Sequence, residues 1–173
     1  MRYLHIGCGN VILPKPFENL DTRQLQGVDH VSQAFPLPFE DDTFDLVYSS
    51  HVLEHFTREQ TQPVINEWVR VLKPGGILRL SVPSIENLIK IYQISGDLNY
   101  IIGPLMGGQT YPENFHYNIF DTKSLTDYFE IAGCEAVHPW DYRRTSHSKF
   151  FDFSQATTWE IPISLNLEGR KKS

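Results

Sequence analysis

The sequence predicts an α/β fold built on a mostly parallel sheet, in one domain spanning 1–173. Three observations carry this. The opening run Tyr3-Leu4-His5-Ile6 is a short apolar strand that enters a turn with two glycines one residue apart, Gly7-Cys8-Gly9. Later strand-like runs are separated by helical patterns near 57–72, 84–95 and 121–132. The chain has 173 residues, 40% hydrophobic and 21% charged, which suits a single domain with a real core.

The first turn sets the chemistry. A Gly-x-Gly turn after a buried strand lets backbone amides approach a ligand with no Cβ in the way. Such turns also close ordinary strands. Val11 to Pro16 follows, and Pro14 and Pro16 exclude a regular helix there. Phe17 to Asp21 is the second strand. A dinucleotide fold places a helix between the glycines and the acid, with about 20 residues of separation. Here that helix is missing, and Val11 stands where a third glycine would be. The dinucleotide fingerprint therefore fails, which argues against a nicotinamide oxidoreductase. Asp21 still suits a ribose, because a carboxylate accepts strongly from two vicinal hydroxyls. The alternative is a turn cap with Thr22.

Gly27 to Val31 reads as a third strand. Pro36 and Pro38 hold the next passage extended, and Glu40-Asp41-Asp42-Thr43 turns the chain. Phe44 to Ser50 is a buried fourth strand, and His51 to Phe56 a helical turn. His51-x-x-Glu54-His55 superficially suggests metal ligands. Its order is not that of a zinc helix and no third ligand lies nearby in sequence, so no metal is expected. Glu54 and His55 are read as braces that bond neighbouring backbone.

Thr57 with Gln60 is a capping-box pattern. Pro63 predicts a break, with the regular helix starting near Gln62 or Pro63 and running to Leu72. Val64, Ile65, Trp68, Val69 and Leu72 form its buried face, so Trp68 is core rather than binding surface. Lys73-Pro74-Gly75-Gly76 turns the chain into a fifth strand, Ile77 to Pro83.

Ser84 caps a helix to Ser95 whose apolar face either covers the pocket or meets a second subunit of a homodimer. Residues 84–118 read as an insertion whose long loop is functional or mobile. Asp121 or Thr122 caps a helix ending at Gly133. Cys134 to Trp140 is a strand and Asp141 to Ser154 a loop. Trp159 to Leu167 is the last strand, returning antiparallel. Gly169 to Ser173 is a frayed, solvated end.

Four segments taken together resemble the class I S-adenosylmethionine-dependent methyltransferases, in their small type-11-like branch. They are His5-Ile6-Gly7-Cys8-Gly9, Pro36-Leu37-Pro38-Phe39 through Val47, Ser49-Ser50-His51-Val52-Leu53-Glu54-His55-Phe56, and Trp68 through Gly76. The resemblance implies a Rossmann-like, mostly parallel seven-stranded sheet with the last strand antiparallel, truncated near the N-terminus. It implies S-adenosylmethionine as methyl donor and S-adenosylhomocysteine as product. Gly7, Cys8 and Gly9 would pass under the methionine and ribose, with His5 at the turn's entry. Asp21, with Thr22, would hold the ribose. Gln33 and Ala34 would meet the adenine, and Ser49, Ser50 and His51 would line the methionine end. The resemblance also implies that residues 84–118 are a lid or acceptor insertion. Two positions depart from the family pattern: His5 and Gln33 stand where acids are usual.

The acceptor is expected to be a small molecule, in relatives of this branch a sugar or metabolite. Gln109, Asn114, His116 and Tyr117 are the acceptor-site candidates, and His116 and His51 the candidate bases, since histidine titrates near neutrality. His116 alternatively ties its loop to the core. The rival reading is a non-catalytic module that binds S-adenosylmethionine or S-adenosylhomocysteine.

The net charge of -6 and scattered basic residues argue against a nucleic-acid partner. Two cysteines make neither a disulfide framework nor a zinc site. No membrane span and no signal peptide are read, so a cytoplasmic location is expected.

Overall fold

A computed structural model describes residues 1–145 and 149–173. Seven strands form one sheet: β1 (Tyr3–Ile6), β2 (Phe17–Asp21), β3 (His30–Val31), β4 (Phe44–Ser50), β5 (Leu72–Pro83), β6 (Cys134–Pro139) and β9 (Ser164–Lys171). Their order is β3-β2-β1-β4-β5-β9-β6. Only β9 runs antiparallel to its neighbours, β5 and β6. The mostly parallel seven-stranded sheet is as the sequence predicts.

The connection from β1 to β2 contains no helix. It is a loop whose buried Leu13 packs with Phe17, Leu46, Tyr48 and Trp140 on one face of the sheet. The opposite face carries the larger core. There Leu4, Ile6, Val47 and Leu78 meet Val64, Ile65 and Trp68 of α1 (Arg58–Arg70), and Leu125 and Phe129 of α4 (Thr122–Ile131). The alternation along β1 explains the split: Leu4 and Ile6 point to one side, Tyr3 and His5 to the other.

Helix α1 starts at Arg58, without a break before Pro63. The Gln60 side chain accepts from the Thr57 amide at 3.1 Å and caps the first turn. Pro63 has no amide hydrogen to give the Glu59 carbonyl, and both residues are exposed. The helix ends at Arg70, and Leu72 already belongs to β5, whose register with β4 shifts across Lys73–Gly76.

The stretch from Trp159 is not part of the last strand. Residues β7 (Thr157–Thr158) and β8 (Ile161–Pro162) form a small hairpin, with positive φ at both Trp159 and Glu160, as a two-residue hairpin turn requires. The last strand runs instead to Lys171, so Gly169 to Lys171 is not frayed. Gly169 is buried, and the Lys171 ammonium donates to the Leu72 carbonyl at 2.7 Å and to Asp42 at 2.8 Å.

Helix α2 (Ile85–Ser95) is capped by Ser84, whose hydroxyl accepts from the Asn87 amide. Leu88 and Ile91 bury against Ile101 and Ile163. The following segment is not a plain loop, because Ile102–Met106 forms a short helix, α3. The Asp141–Ser154 loop contains short helical turns, and its residues 146–148 lie outside the described part.

Candidate active site

The sheet reverses its order of addition between β1 and β4, and ligands of open α/β sheets bind beyond the strand ends at such a point. A cavity of about 1200 Å³ opens there. Its floor is the turn after β1. Gly7 has φ +67°, and a Cβ on it would lie 2.3 Å from Val52 Cγ2. That position therefore needs glycine both for its backbone and for the close approach of the β4 turn. Gly9, at φ +53°, meets nothing nearer than Arg23 Nη2 at 3.6 Å, so its missing side chain leaves room above the turn.

Asp21, at the end of β2, faces this turn. Its Oδ2 accepts from the Gly9 amide at 2.8 Å, and its Oδ1 accepts from the amide and Nε of Arg23 at 2.9 and 3.0 Å. Burial pushes the carboxyl up, but the Arg23 guanidinium and the two amides outweigh it and hold it below the usual carboxylate range. Asp21 is thus an anion at neutral pH, at the cavity edge. Ala34 is fixed from behind, because the buried Trp68 indole donates to its carbonyl at 2.8 Å.

His5 is buried. Its Nδ1 bonds Asn19 Oδ1 at 3.2 Å and its ring packs on Tyr48. Cys8 is also buried, and burial with the nearby Asp21 charge pushes its thiol up to about 11.

A second group sits across the cavity. Leu53–His55 is a single helical turn after β4, preceded by His51 at φ +54°. The Glu54 carbonyl accepts from the Tyr117 amide at 2.8 Å, and His55 Nδ1 donates to the Phe115 carbonyl at 3.0 Å. These bonds bring the distant loop against the turn. His116 Nδ1 donates to the Pro104 carbonyl at 2.8 Å, and its Nε2 lies 3.9 Å from Glu54 Oε1. His51 Nδ1 lies 3.3 Å from the same oxygen.

Burial pushes the Glu54 carboxyl up to about 8 and the His51 imidazole down to about 3. It also lowers His55 and His116, against the carbonyls that accept from them. The three rings are therefore neutral near pH 7.

Of the residues singled out in the sequence, His5, Gly7, Cys8, Gly9, Asp21, Thr22, Gln33, Ala34, Ser50, His51, Asn114 and His116 all line the cavity. Ser49 does not: its hydroxyl is buried and donates to the Ile6 carbonyl at 3.3 Å. Gln109 and Tyr117 also fall outside. The Gln109 amide group turns back to the Met106 carbonyl, and Tyr117 is exposed.

The brace reading holds for His55 but not for the Glu54 side chain, whose two oxygens make no hydrogen bond although fully buried. Nor does the absence of a third candidate ligand survive, since folding sets His116 beside Glu54 and His55. Sequence reasoning missed Arg23, Phe56, Asp152, Phe153 and Ile163 in the lining. Arg23 was within reach as the residue two after an end-of-strand Asp. Asp152, Phe153 and Ile163 carry no local motif and arrive only because β9 returns beside β5.

Comparison with known proteins adds the following. Residues 4–80 match a family described as a methyltransferase domain. A phthiotriol/phenolphthiotriol dimycocerosates methyltransferase of Mycobacterium ulcerans is 34% identical over 101 residues, covering 44% of this chain and 35% of that protein. A ubiquinone/menaquinone biosynthesis C-methyltransferase of a Ruegeria species is 38% identical over 77 residues, covering 43% of this chain and 29% of that one. The chain spans about a third or less of the length of the curated relatives it matches.

Solved structures agree in fold. An S-adenosylmethionine-dependent methyltransferase of Thermotoga maritima superposes with a TM-score of 0.62 at 18% identity, over 99% of this chain and 82% of that one. A Burkholderia thailandensis didemethyltoxoflavin methyltransferase, solved with S-adenosylhomocysteine, gives 0.59 at 14% identity, over 99% and 71%.

Proposed function

We propose that this protein, whose residues 4–80 match a methyltransferase-domain family and whose fold is that of class I methyltransferases, is an S-adenosylmethionine-dependent methyltransferase acting on a small-molecule acceptor. One observation carries the reading: the Gly7–Gly9 turn is tied to an ionised Asp21 at the edge of a cavity of about 1200 Å³ at the sheet's switch point. The residues fit the cofactor. Gly9 leaves open space where a Cβ would intrude, and Asp21 offers the acceptor a ribose diol needs. Gly7, Cys8 and Gly9 would hold the methionine and ribose, and Gln33 and Ala34 the adenine. His51 and Ser50 would stand at the sulfonium end.

When bound, S-adenosylmethionine supplies a methyl group already activated on a cationic sulfur. The chain's task is then to hold an acceptor atom in line and to keep water out. Good alignment alone contributes about 7–11 kcal/mol to such a step. Buried Ile163, half-buried Phe56 and exposed Phe153 supply apolar walls. We assign acceptor contacts to Asn114 and His116 and proton acceptance to the neutral ring of His116; His51, pushed down to about 3 by burial, is too weak a base and serves as a wall of the cavity.

A hydroxyl-bearing acceptor such as a sugar suits a neutral imidazole beside Asn114. Exposed Ile89, Tyr92 and Ile94 on the outer face of α2 support a homodimer as the fuller assembly. Two buried free thiols suit a reducing, cytoplasmic setting. Calorimetry with S-adenosylmethionine and S-adenosylhomocysteine tests the core reading. One site per chain for each is expected, and heat from neither overturns it.

A further inference from the structure

The walls of this cavity contain a cluster of lone pairs with nothing to receive. Glu54 is 0% exposed and neither of its oxygens makes a hydrogen bond. His55 Nδ1 faces the Phe115 carbonyl and His116 Nδ1 the Pro104 carbonyl. A carbonyl only accepts, so each ring carries its hydrogen on Nδ1 and leaves Nε2 as a lone pair. The two rings meet edge to face at 4.7 Å. Their ligand atoms and a Glu54 oxygen all lie within 4.8 Å of one another.

His51 repeats the logic from the other side. The Ser164 hydroxyl donates to the Phe153 carbonyl at 2.7 Å, so it accepts from His51 Nε2 at 2.7 Å. His51 Nδ1 is therefore also a lone pair, 3.3 Å from Glu54 Oε1. A single proton on Glu54 satisfies one of these nitrogens and leaves two without a donor. A cation satisfies the carboxylate and both Nε2 atoms at once.

We propose that Glu54, His55 and His116 bind a divalent transition-metal ion at the acceptor end of the cavity. Imidazole nitrogens with one carboxylate suit zinc, cobalt, manganese or ferrous ions rather than magnesium or calcium. Metal-binding histidines characteristically donate their second ring hydrogen to a carbonyl or carboxylate, which fixes ring and tautomer. Both His55 and His116 do so. His55 and His116 also line the cavity, so a three-residue site keeps open positions on that side. An oxygen-bearing acceptor would occupy them and be oriented and polarised there. With the ion bound, His116 Nε2 is a ligand rather than a proton acceptor. This catalytic use rests on the methyltransferase reading, whereas the site itself does not.

Protein freed of metal with a chelator is titrated with Co²⁺, followed by visible absorption, and with Zn²⁺ by calorimetry. One ion per chain is expected. H55N, H116N and E54Q should each weaken binding by about 100-fold or more, beyond the 10–100-fold cost of losing an outer-shell partner. H138N, at an exposed histidine, should leave it unchanged. Circular dichroism confirms that each variant is folded. Should E54Q not fold, the two histidine variants decide. No cobalt band and no zinc heat with the wild-type chain overturns the site, as does binding that persists undiminished in H55N and H116N. Calorimetry with S-adenosylhomocysteine in excess chelator reads the cofactor site separately, so the two proposals fail independently.

Discussion

The Gly9 amide donates to the Asp21 carboxylate at 2.8 Å, across the gap where a crossover helix is missing. One bond thus closes the turn and aims the acid. In D21N the amide NH2 group replaces an acceptor oxygen, and the turn loses its charged partner. A charge-assisted hydrogen bond is worth about 1.5–3 kcal/mol. D21N should therefore weaken S-adenosylhomocysteine binding by about 10- to 150-fold in calorimetry. Unchanged affinity would detach Asp21 from the ribose.

Gly7 should tolerate no side chain. In G7A the new Cβ lies 2.3 Å from Val52 Cγ2 at a backbone φ of +67°. The left-handed conformation alone costs about 1–2 kcal/mol for a residue with a Cβ. Urea denaturation should show G7A destabilised by more than that. G7A/V52A should recover the steric part only, leaving the double variant more stable than the sum of the two single effects. Full additivity would show that the two residues do not meet.

Glu67 ties the extended loop before β4 to α1. Its Oε1 accepts from the Leu37 amide at 2.8 Å and its Oε2 from Arg70 Nε at 2.8 Å. The Arg70 guanidinium holds the carboxyl below its ordinary value. A depressed carboxylate stabilises the fold above the unfolded-state pKa of about 4.3, and the contribution is lost as pH falls through the native value. E67Q should be about 1.5–3 kcal/mol less stable at pH 7. The gap from wild type should close as the pH drops below about 4. A constant gap down to pH 2 would contradict the assignment.

Both thiols should be inert in the native protein. Burial with the Asp21 charge pushes Cys8 up to about 11, and burial pushes Cys134 up to about 12. Iodoacetamide at pH 8 should leave the intact mass unchanged and add two groups after denaturation. Native labelling of Cys8 would mean the turn opens far more than its geometry allows.

The sheet was legible because its signals are local. Alternation and turn chemistry marked β1, β2, β4 and β5, and Ser84 and Asp121 announced their helices. Pro63 points to a start near itself, but the Thr57–Gln60 capping box fixes the start at Arg58 and leaves the proline inside the helix. The hairpin at Trp159–Glu160 was hidden because neither residue is a typical positive-φ type.

At the cavity, the Gly-x-Gly turn after β1 and the acid ending β2 are local features that the sequence shows directly. The Glu54–His116 neighbourhood is not, because no periodicity relates residues so far apart. It is made by backbone bonds from Tyr117 and Phe115 to the turn at 53–55.

Those same bonds leave the outer rim of the cleft uneven. Residues 115–118 are stitched to the turn at 53–55 by the Glu54 carbonyl and the His55 ring, and to α1 by the Asn118–Thr61 bond. The limb before them, from Gly107 to Tyr111, is mostly exposed and is held back by Asn114, which accepts from the Gly108 and Gln109 amides, and by the turn of Gln109 onto Met106. Few buried contacts mean a low cost of local opening. Traffic of molecules into and out of the protein should thus swing on this limb, with Gly107 as its pivot, while the histidine-bearing strip stays put.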